Sequence, residues 1–382
     1  MDNHSGLCIV MVIQSYLPRL GGAEKQLAAV CGGLRMNGHN PVIVTRRYKG
    51  MSQYEVINGT PVHRVPAPKP KQLAAFCFLI FGFLRIVKIK PDIVHAHELL
   101  SPSDLSILAS KWLKIPMVVK VLRGGWMGDV YKLNHRKLGR LRLKRLKKFT
   151  DAFVYISEEI KAELMAVGIN EENCDFIPNG VDTTFYKPVE KELVNGLRSR
   201  LHLPDGFLAL YSGRLASEKG LHWLLTVWKE FTQKVEASLV IVGSGEEEDR
   251  LRSCSTGSVI FTGRVTEPLS YYQASDVFIL PSKTEGLSNS MLEAMASGLP
   301  VIAANVGAAP EVISQKISGV LIAPDNSNEL LKALYALAAD REARQMMGIE
   351  GMKSIQKKYP LDNTVNSLIT LYFRLLMKKE VR

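Results

Sequence analysis

Short apolar runs without polar alternation recur along this chain, and each is followed by a stretch with the period of an amphipathic helix. That pairing leaves few folds open. A strand apolar at successive positions buries both faces, as in a parallel sheet covered by helices on either side. In the first half the runs are Leu7–Ile13, Pro41–Thr45, Asp92–His97, Met117–Val121 and Ala152–Ile156. Leu27, Val30, Cys31 and Leu34 fall at i, i+3, i+4 and i+7 and predict a helix over Glu24–Asn37. The turn-rich stretch "IPNGVDTTFYKP" interrupts the series. The same grammar then restarts, with runs at Phe207–Gly213, Ser238–Gly243, Val259–Gly263, Val277–Pro281 and Pro300–Ala304. Leu221, Leu224, Leu225 and Trp228 mark a second helical face, and Val365, Leu368, Ile369 and Tyr372 a C-terminal one. The spacing predicts two doubly wound α/β domains, 1–187 and 188–360, with ligands at the carboxyl ends of the strands. A length of 382 residues suits two domains.

The net charge of +12 favours anionic partners: nucleic acid, an acidic membrane surface, or phosphorylated substrates. Much of the excess sits in "KLNHRKLGRLRLKRLKKF", Lys132–Phe149, which holds nine Lys or Arg and no acid, with Leu138, Leu141 and Leu146 interleaved. Such a segment is a membrane-surface helix, a nucleic-acid contact or a solvated basic face. It lacks the aromatic platform on which single strands stack. The apolar run Leu73–Leu84 is too short to span a bilayer and reads as a buried or interfacial helix. Five dispersed cysteines without Cys-x-x-Cys fit reduced thiols in a cytosolic protein. No Lys or Arg precedes the apolar run "LCIVMVI", and no small-residue cleavage pattern follows it, so no signal peptide is expected.

Several loops could carry chemistry. "LGGAEKQL" places Gly21 and Gly22 where a strand gives way to a helix, either as a tight turn or as a close approach of backbone to an anion. In "YSGRLASEKG", Arg214 and Lys219 follow a strand's end, where they would clamp a diphosphate or simply be solvated. "VGSGEEEDRL" has Gly-x-Gly without the third glycine, and its acids suit a helix first turn rather than a phosphate. "HAHE" puts His95 and His97 on one strand face, as a core pair or an acceptor-orienting group. "RGGWMGD" brings Arg123 and Asp129 into another loop after a strand. The acids of "KTEGLSNSMLEAMASG", Glu285 and Glu293, are either site residues or a loop and a helix-face acid. No Asp-x-Asp occurs, so a metal-bridged diphosphate built on that motif has no support. Cations and helix N-termini would neutralise a leaving phosphate instead.

The ordered set "GGAE", "DIVHAHE", "IPNGVDTTFYKP", "SGRLASEKG", "GRV", "SDVFILPSKTEGLSNSMLEAMASGLPVIAA" and "SGVLIAPDN" covers most of the chain and resembles the retaining nucleotide-sugar glycosyltransferases of family four. The resemblance implies the GT-B fold: two Rossmann-like doubly wound domains facing a cleft, the second holding the donor, with a last helix, 361–382, crossing back to the first. Arg214 and Lys219 then match the diphosphate-binding cations, Glu293 the ribose-binding acid, and Glu285 the acid beside the donor sugar. Gly286, Leu287, Ser288 and Asn289 would approach sugar and phosphates, Val265 the base, and Gly22 the phosphate from the acceptor side. Many members carry a histidine in the loop after the fourth strand; here "VLRGGWMGD" lacks it, and Arg123, Asp129 or His97 is the candidate in its place. Such enzymes use a front-face, ion-pair-like step and no covalent nucleophile. The implied activity is transfer of a hexose from a UDP- or GDP-linked donor, without metal or other cofactor. The acceptor would be a lipid-linked saccharide or oligosaccharide of a bacterial surface glycan. The protein would then be cytoplasmic, peripheral on the inner membrane face through Lys132–Lys148, with no nucleic-acid partner. A sugar-nucleotide epimerase of the same fold and a non-catalytic basic binding protein are the alternatives.

Overall fold

The computed structural model describes residues 6–19 and 21–380. Leu20 of the "LGGAE" loop, residues 1–5 of the first domain and the last two residues of the expected C-terminal helix lie outside the described residues. The chain divides into two compact units, Met1–Asn179 with Leu361–Arg382, and Gly180–Pro360.

The first unit is built on β1 (Cys8–Val12), β2 (Asn40–Arg47), β3 (Tyr54–Ile57), β4 (Thr60–Pro66), β5 (Ile93–His97), β6 (Met117–Lys120), β7 (Ala152–Tyr155) and β8 (Cys174–Phe176). They form one sheet in the order β3-β4-β2-β1-β5-β6-β7-β8, parallel except for β3 against β4. The β3–β4 hairpin is the departure from the sequence expectation. Its turn is Asn58-Gly59, both at positive φ (47° and 74°), the conformation a two-residue hairpin loop requires. The order reverses between β1 and β5, the switch point where open parallel sheets receive ligands. The helices are α1 (Gly22–Met36), α2 (Lys71–Ile89), α3 (Ser101–Leu113), α4 (Asp129–Asn134), α5 (Gly139–Phe149) and α6 (Glu158–Ala166). The C-terminal helix, Leu361–Glu380, belongs to this unit too. Its Val365, Leu368, Tyr372 and Leu375 join Ile9, Met11, Leu27 and Leu34 in one core.

Helix α2 has two apolar faces. Ala74, Phe78, Gly82 and Ile86 are buried, with Gly82 set so close to α3 that a Cβ there would overlap the Leu105 side chain. Leu73, Phe76, Ile80, Phe81 and Leu84 are exposed. By length and composition α2 is the one helix among the described residues that could cross a membrane, although its buried face is committed to the fold.

The second unit holds β9 (Phe207–Ser212), β10 (Ala237–Val242), β11 (Val259–Gly263), β12 (Val277–Leu280), β13 (Val301–Ala304) and β14 (Val320–Ile322). The sheet is parallel throughout, ordered β11-β10-β9-β12-β13-β14. Numbered within the unit this is 3-2-1-4-5-6, the Rossmann order, with its switch point between β9 and β12. Leu210 of β9 stands opposite Val240 of β10 and Phe278 of β12. The helices are α7 (Lys191–Arg200), α8 (Leu221–Phe231), α9 (Glu248–Cys254), α10 (Leu269–Ala274), α11 (Asn289–Ala296), α12 (Ala309–Val312), α13 (Ser327–Ala339) and α14 (Arg341–Lys358). Leu221, Leu224, Leu225 and Trp228 of α8 are buried on Leu239 and Ile241, the face their spacing predicts.

Candidate functional site

In the second unit, the loops leaving β9 and β12 meet at the switch point. The Lys283 N–H donates to the Glu218 carbonyl (2.9 Å), tying one loop to the other. Gly220 opens α8 at φ 71°, and a Cβ there would overlap the Pro281 carbonyl, so only glycine permits this approach. The tie brings Lys219 and Glu285 together. Lys219 Nζ donates to Glu285 Oε1 at 2.5 Å, and Ser282 Oγ donates to the same oxygen at 2.7 Å. Both charged side chains are largely withdrawn from water, 14% and 12% exposed. Arg214 lies nearer solvent and forks between Glu218 and Glu246 (3.2 Å). Tyr211 OH donates to the Arg214 carbonyl (2.9 Å), fixing the loop's exit from β9.

Glu293, on α11, is buried and receives the Tyr272 hydroxyl at Oε2 (3.0 Å). Burial, then the Glu293 charge, push the Tyr272 phenol well above its ordinary value, so it donates and stays protonated. Ser288 caps α11, its Oγ accepting from the Met291 N–H (3.3 Å), beside Asn289. The Gly286 carbonyl accepts from the Ala308 N–H (2.9 Å), and Leu287 is buried. Val265 is half-buried in the loop after β11. Two partners were not foreseen from sequence: Glu218, four residues from Arg214, and Tyr272, whose separation from Glu293 has no helical or strand period. Glu218 was legible as an i, i+4 pair; Tyr272 had no local signal.

In the first unit, the switch point joins the ends of β1 and β5. Gly22 is exposed at the start of α1, and Glu24 in that helix's first turn receives Ser15 Oγ. Glu98, just past β5, holds φ 92°, a conformation a side chain rarely adopts. Burial, with Asp129 and Glu24 nearby, pushes the Glu98 carboxyl up to about 7, against the opposing pull of Lys132 and Arg123. Asp129 is itself buried and raised, chiefly by desolvation, and its Oδ2 accepts from the Leu99 N–H (2.9 Å). Arg123 is half-buried, its carbonyl facing the Asp129 N–H. His97 is buried, stacked on His95 with ring centroids 4.6 Å apart. Burial, then Lys120, hold His97 down to about 3, so the ring is neutral near pH 7. His95 Nδ1 meets the Tyr372 hydroxyl at 2.7 Å, and Lys120 Nζ donates to Asn179 Oδ1 at 2.9 Å. His95 therefore bonds into the core, and His97 lies against it. Glu98 was the acid at the end of "HAHE"; its backbone strain has no sequence signature outside glycine.

On the outer helices of the same unit, α2, α3 and α5 border a groove of about 290 Å³ lined by Leu79, Leu108, Leu138, Leu141 and Arg145 together with Asp104, which pairs with Arg142 at 2.8 Å. Leu138 and Leu141 are exposed, beside the basic residues of α5. Among the described residues no group of three His, Cys, Asp or Glu side chains converges as a metal site would need.

Two family descriptions match the chain: "Glycosyltransferase Family 4" over residues 20–185 and "Glycosyl transferases group 1" over residues 206–340. The chain is 26% identical to an uncharacterized glycosyltransferase of Methanocaldococcus jannaschii, covering 95% of this chain and 97% of that protein. It is 27% identical to the alpha-monoglucosyldiacylglycerol synthase of Streptococcus pneumoniae, over 86% of this chain and 78% of that one. Its structure resembles that of Anabaena HepE in complex with UDP-glucose, with a TM-score of 0.82, 19% identity, and coverage of 97% of this chain and 100% of that one.

Proposed function

The chain belongs to the group 1, family-four glycosyltransferases, enzymes of the GT-B fold, and from that premise we propose that it transfers a hexose with retention from a UDP- or GDP-linked donor to a lipid-linked saccharide of a surface polysaccharide. One observation carries the reading. Two cations, Arg214 and Lys219, and the carboxylate of Glu285 lie in the loops that leave the Rossmann switch point, and Glu293 is buried against the Tyr272 hydroxyl.

The carboxylates that now answer the cations stand where a diphosphate would. Glu246 is exposed and yields Arg214 readily; Lys219 turns from Glu285 to the phosphate next to the sugar. The bond from C1 of the sugar to the phosphate oxygen breaks while the acceptor oxygen bonds C1 on the same face. The acceptor's proton passes to the departing phosphate oxygen. Arg214, Lys219 and the N–H groups at the start of α11 hold the charge that gathers there. Glu285, released from Lys219, receives sugar hydroxyls. Gly286, Leu287, Ser288 and Asn289 supply backbone against the donor and Val265 flanks the base; in the first unit, Gly22 at the start of α1 permits close approach of backbone to an anion. On the acceptor side, Asp129 and Arg123 frame the loop after β6, and His97 serves as a neutral positioning group. This charge balance asks for no metal, so EDTA should leave turnover unchanged.

The outer helices favour a lipid-borne acceptor. Exposed Phe76, Phe81 and Leu84 beside the basic α5 fit an anionic membrane surface, apolar side chains entering it and Lys and Arg meeting head groups. The relation to a diacylglycerol glucosyltransferase supports the same reading. Nucleoside diphosphate release from a panel of UDP-, GDP- and ADP-hexoses with lipid-linked acceptors tests the activity; no turnover with any pairing overturns it. Flotation with vesicles of phosphatidylglycerol at low salt tests the surface, and protein left at the bottom of the gradient counts against it.

A further inference from the structure

Next to the Arg214–Glu246 pair, where the loop after β10 runs into α9, three side chains of different chemistry meet. His222, in the first turn of α8, sets Nε2 2.8 Å from Glu247 Oε2. A carboxylate only accepts, so in the neutral ring Nε2 carries the proton and Nδ1 carries the lone pair. That lone pair faces the Sγ of Cys254 at 3.8 Å, at the end of α9. Glu247 is in turn fixed by its own N–H, which donates to the Leu215 carbonyl (3.1 Å), and by Arg250 (3.7 Å). The thiol has one further contact, the Leu251 carbonyl at 3.4 Å, and is open to solvent. An oriented base beside an accessible thiol is the arrangement that makes a sulfur nucleophile.

We propose that Cys254, His222 and Glu247 form a reactive-thiol site on the donor-binding unit, open to modification by hydroperoxides. His222 Nδ1 accepts the thiol proton as sulfur attacks one peroxide oxygen. The S–O bond forms and the O–O bond breaks, and the departing hydroxide takes the proton back from His222 as water. Sulfur is oxidised by two electrons to sulfenic acid and the peroxide is reduced. The other cysteines lack this setting. Cys31 is fully buried, and burial pushes its thiol far up. Cys174 is raised to about 11 by burial, Asp175 and Glu171. Cys8 is raised by burial and Asp92. Cys77, on α2, is partly exposed, has no His hydrogen-bonded to its sulfur among the described residues, and serves as the internal reference.

The test is hydrogen peroxide with dimedone trapping, read by mass spectrometry at each cysteine of the full chain. Cys254 should be trapped at least about tenfold faster than Cys77 at pH 7.5. His222→Ala should slow Cys254 severalfold and Glu247→Gln should slow it less, each rate taken relative to Cys77, with an unchanged tryptophan-fluorescence urea midpoint as the sign that the second unit, which holds Trp223 and Trp228, is intact. Equal rates at Cys254 and Cys77, or a Cys254 rate indifferent to His222→Ala, overturns the proposal. A variant that shifts the urea midpoint is replaced by His222→Asn, judged by the same two criteria.

Discussion

At the switch point of the second unit the decisive side chains are cations, each already answered by a carboxylate. At the switch point of the first they are acids and imidazoles withdrawn from water, the acids shifted up and the imidazoles down. Both sheets share one topological feature, a run of parallel strands whose order reverses at one pair. In the function proposed above, topology supplies the place and charge the choice of ligand. Paired cations keep a diphosphate-sized demand for negative charge provisionally met. Neutral imidazoles and a Glu98 carboxyl raised to about 7 suit hydroxyl groups, which need donors and acceptors but bring no charge.

That contrast can be broken by substitution. The largest effects belong to the second unit: Lys219→Ala and Glu285→Ala should each lower kcat by about two orders of magnitude or more, the scale of one lost transition-state charge contact. Steady-state turnover with the active donor reads this, and a loss below tenfold would remove the pair from the chemistry. Glu293→Ala should act on binding instead, raising the donor KM about tenfold with kcat held within a few-fold. An unchanged KM would show that its role is confined to Tyr272.

In the first unit the expected effect is on stability and depends on pH. The folded Glu98 carboxyl, raised to about 7 from an ordinary value of 4.5, binds more protons than the unfolded one between those limits. Stability therefore falls as pH rises through that window, and the full cost is present above pH 7. Glu98→Gln should stabilise the protein by on the order of 1–3 kcal/mol at pH 8, with the gain vanishing below pH 5. Urea denaturation at both pH values checks it, and an equal gain at both would trace the effect to something other than the charge. The smallest effect is reserved for Glu246→Ala. Removing an exposed competitor for Arg214 should lower the donor KM about twofold, and less at high salt.

How much of this was legible follows physical range. Most of the apolar runs announced buried strands because each run carries its own burial; Val259–Gly263 forms its strand at the sheet edge and is only half-buried, while α8 announced its face through four residues within about two turns. Arg214, Lys219, Glu285 and Glu293 could be named because they sit in ordered short motifs. Their partners could not be named so easily. Tyr272 reaches Glu293 only because α10 and α11 lie side by side, and Lys219 reaches Glu285 only because β9 and β12 are neighbours despite two intervening strands in sequence. The short β8 and β14 lack the length for a periodic signal. The Asn58-Gly59 hairpin had its signal in plain view, in a stretch whose alternating pattern sets it apart from the buried runs around it.

The C-terminal helix gives the fold an order in time. Residues 180–360 form a compact unit that is continuous in sequence, so all of it has been made once residue 360 leaves the ribosome. The first unit, although synthesised earlier, keeps Ile9, Met11, Leu27 and Leu34 partly uncovered until Val365, Leu368 and Tyr372 arrive. Its completion therefore follows synthesis of the whole second unit, reversing the usual progress of folding from the N-terminus. A nascent chain stalled before residue 361 would hold one finished unit and one that still offers an apolar seam to chaperones.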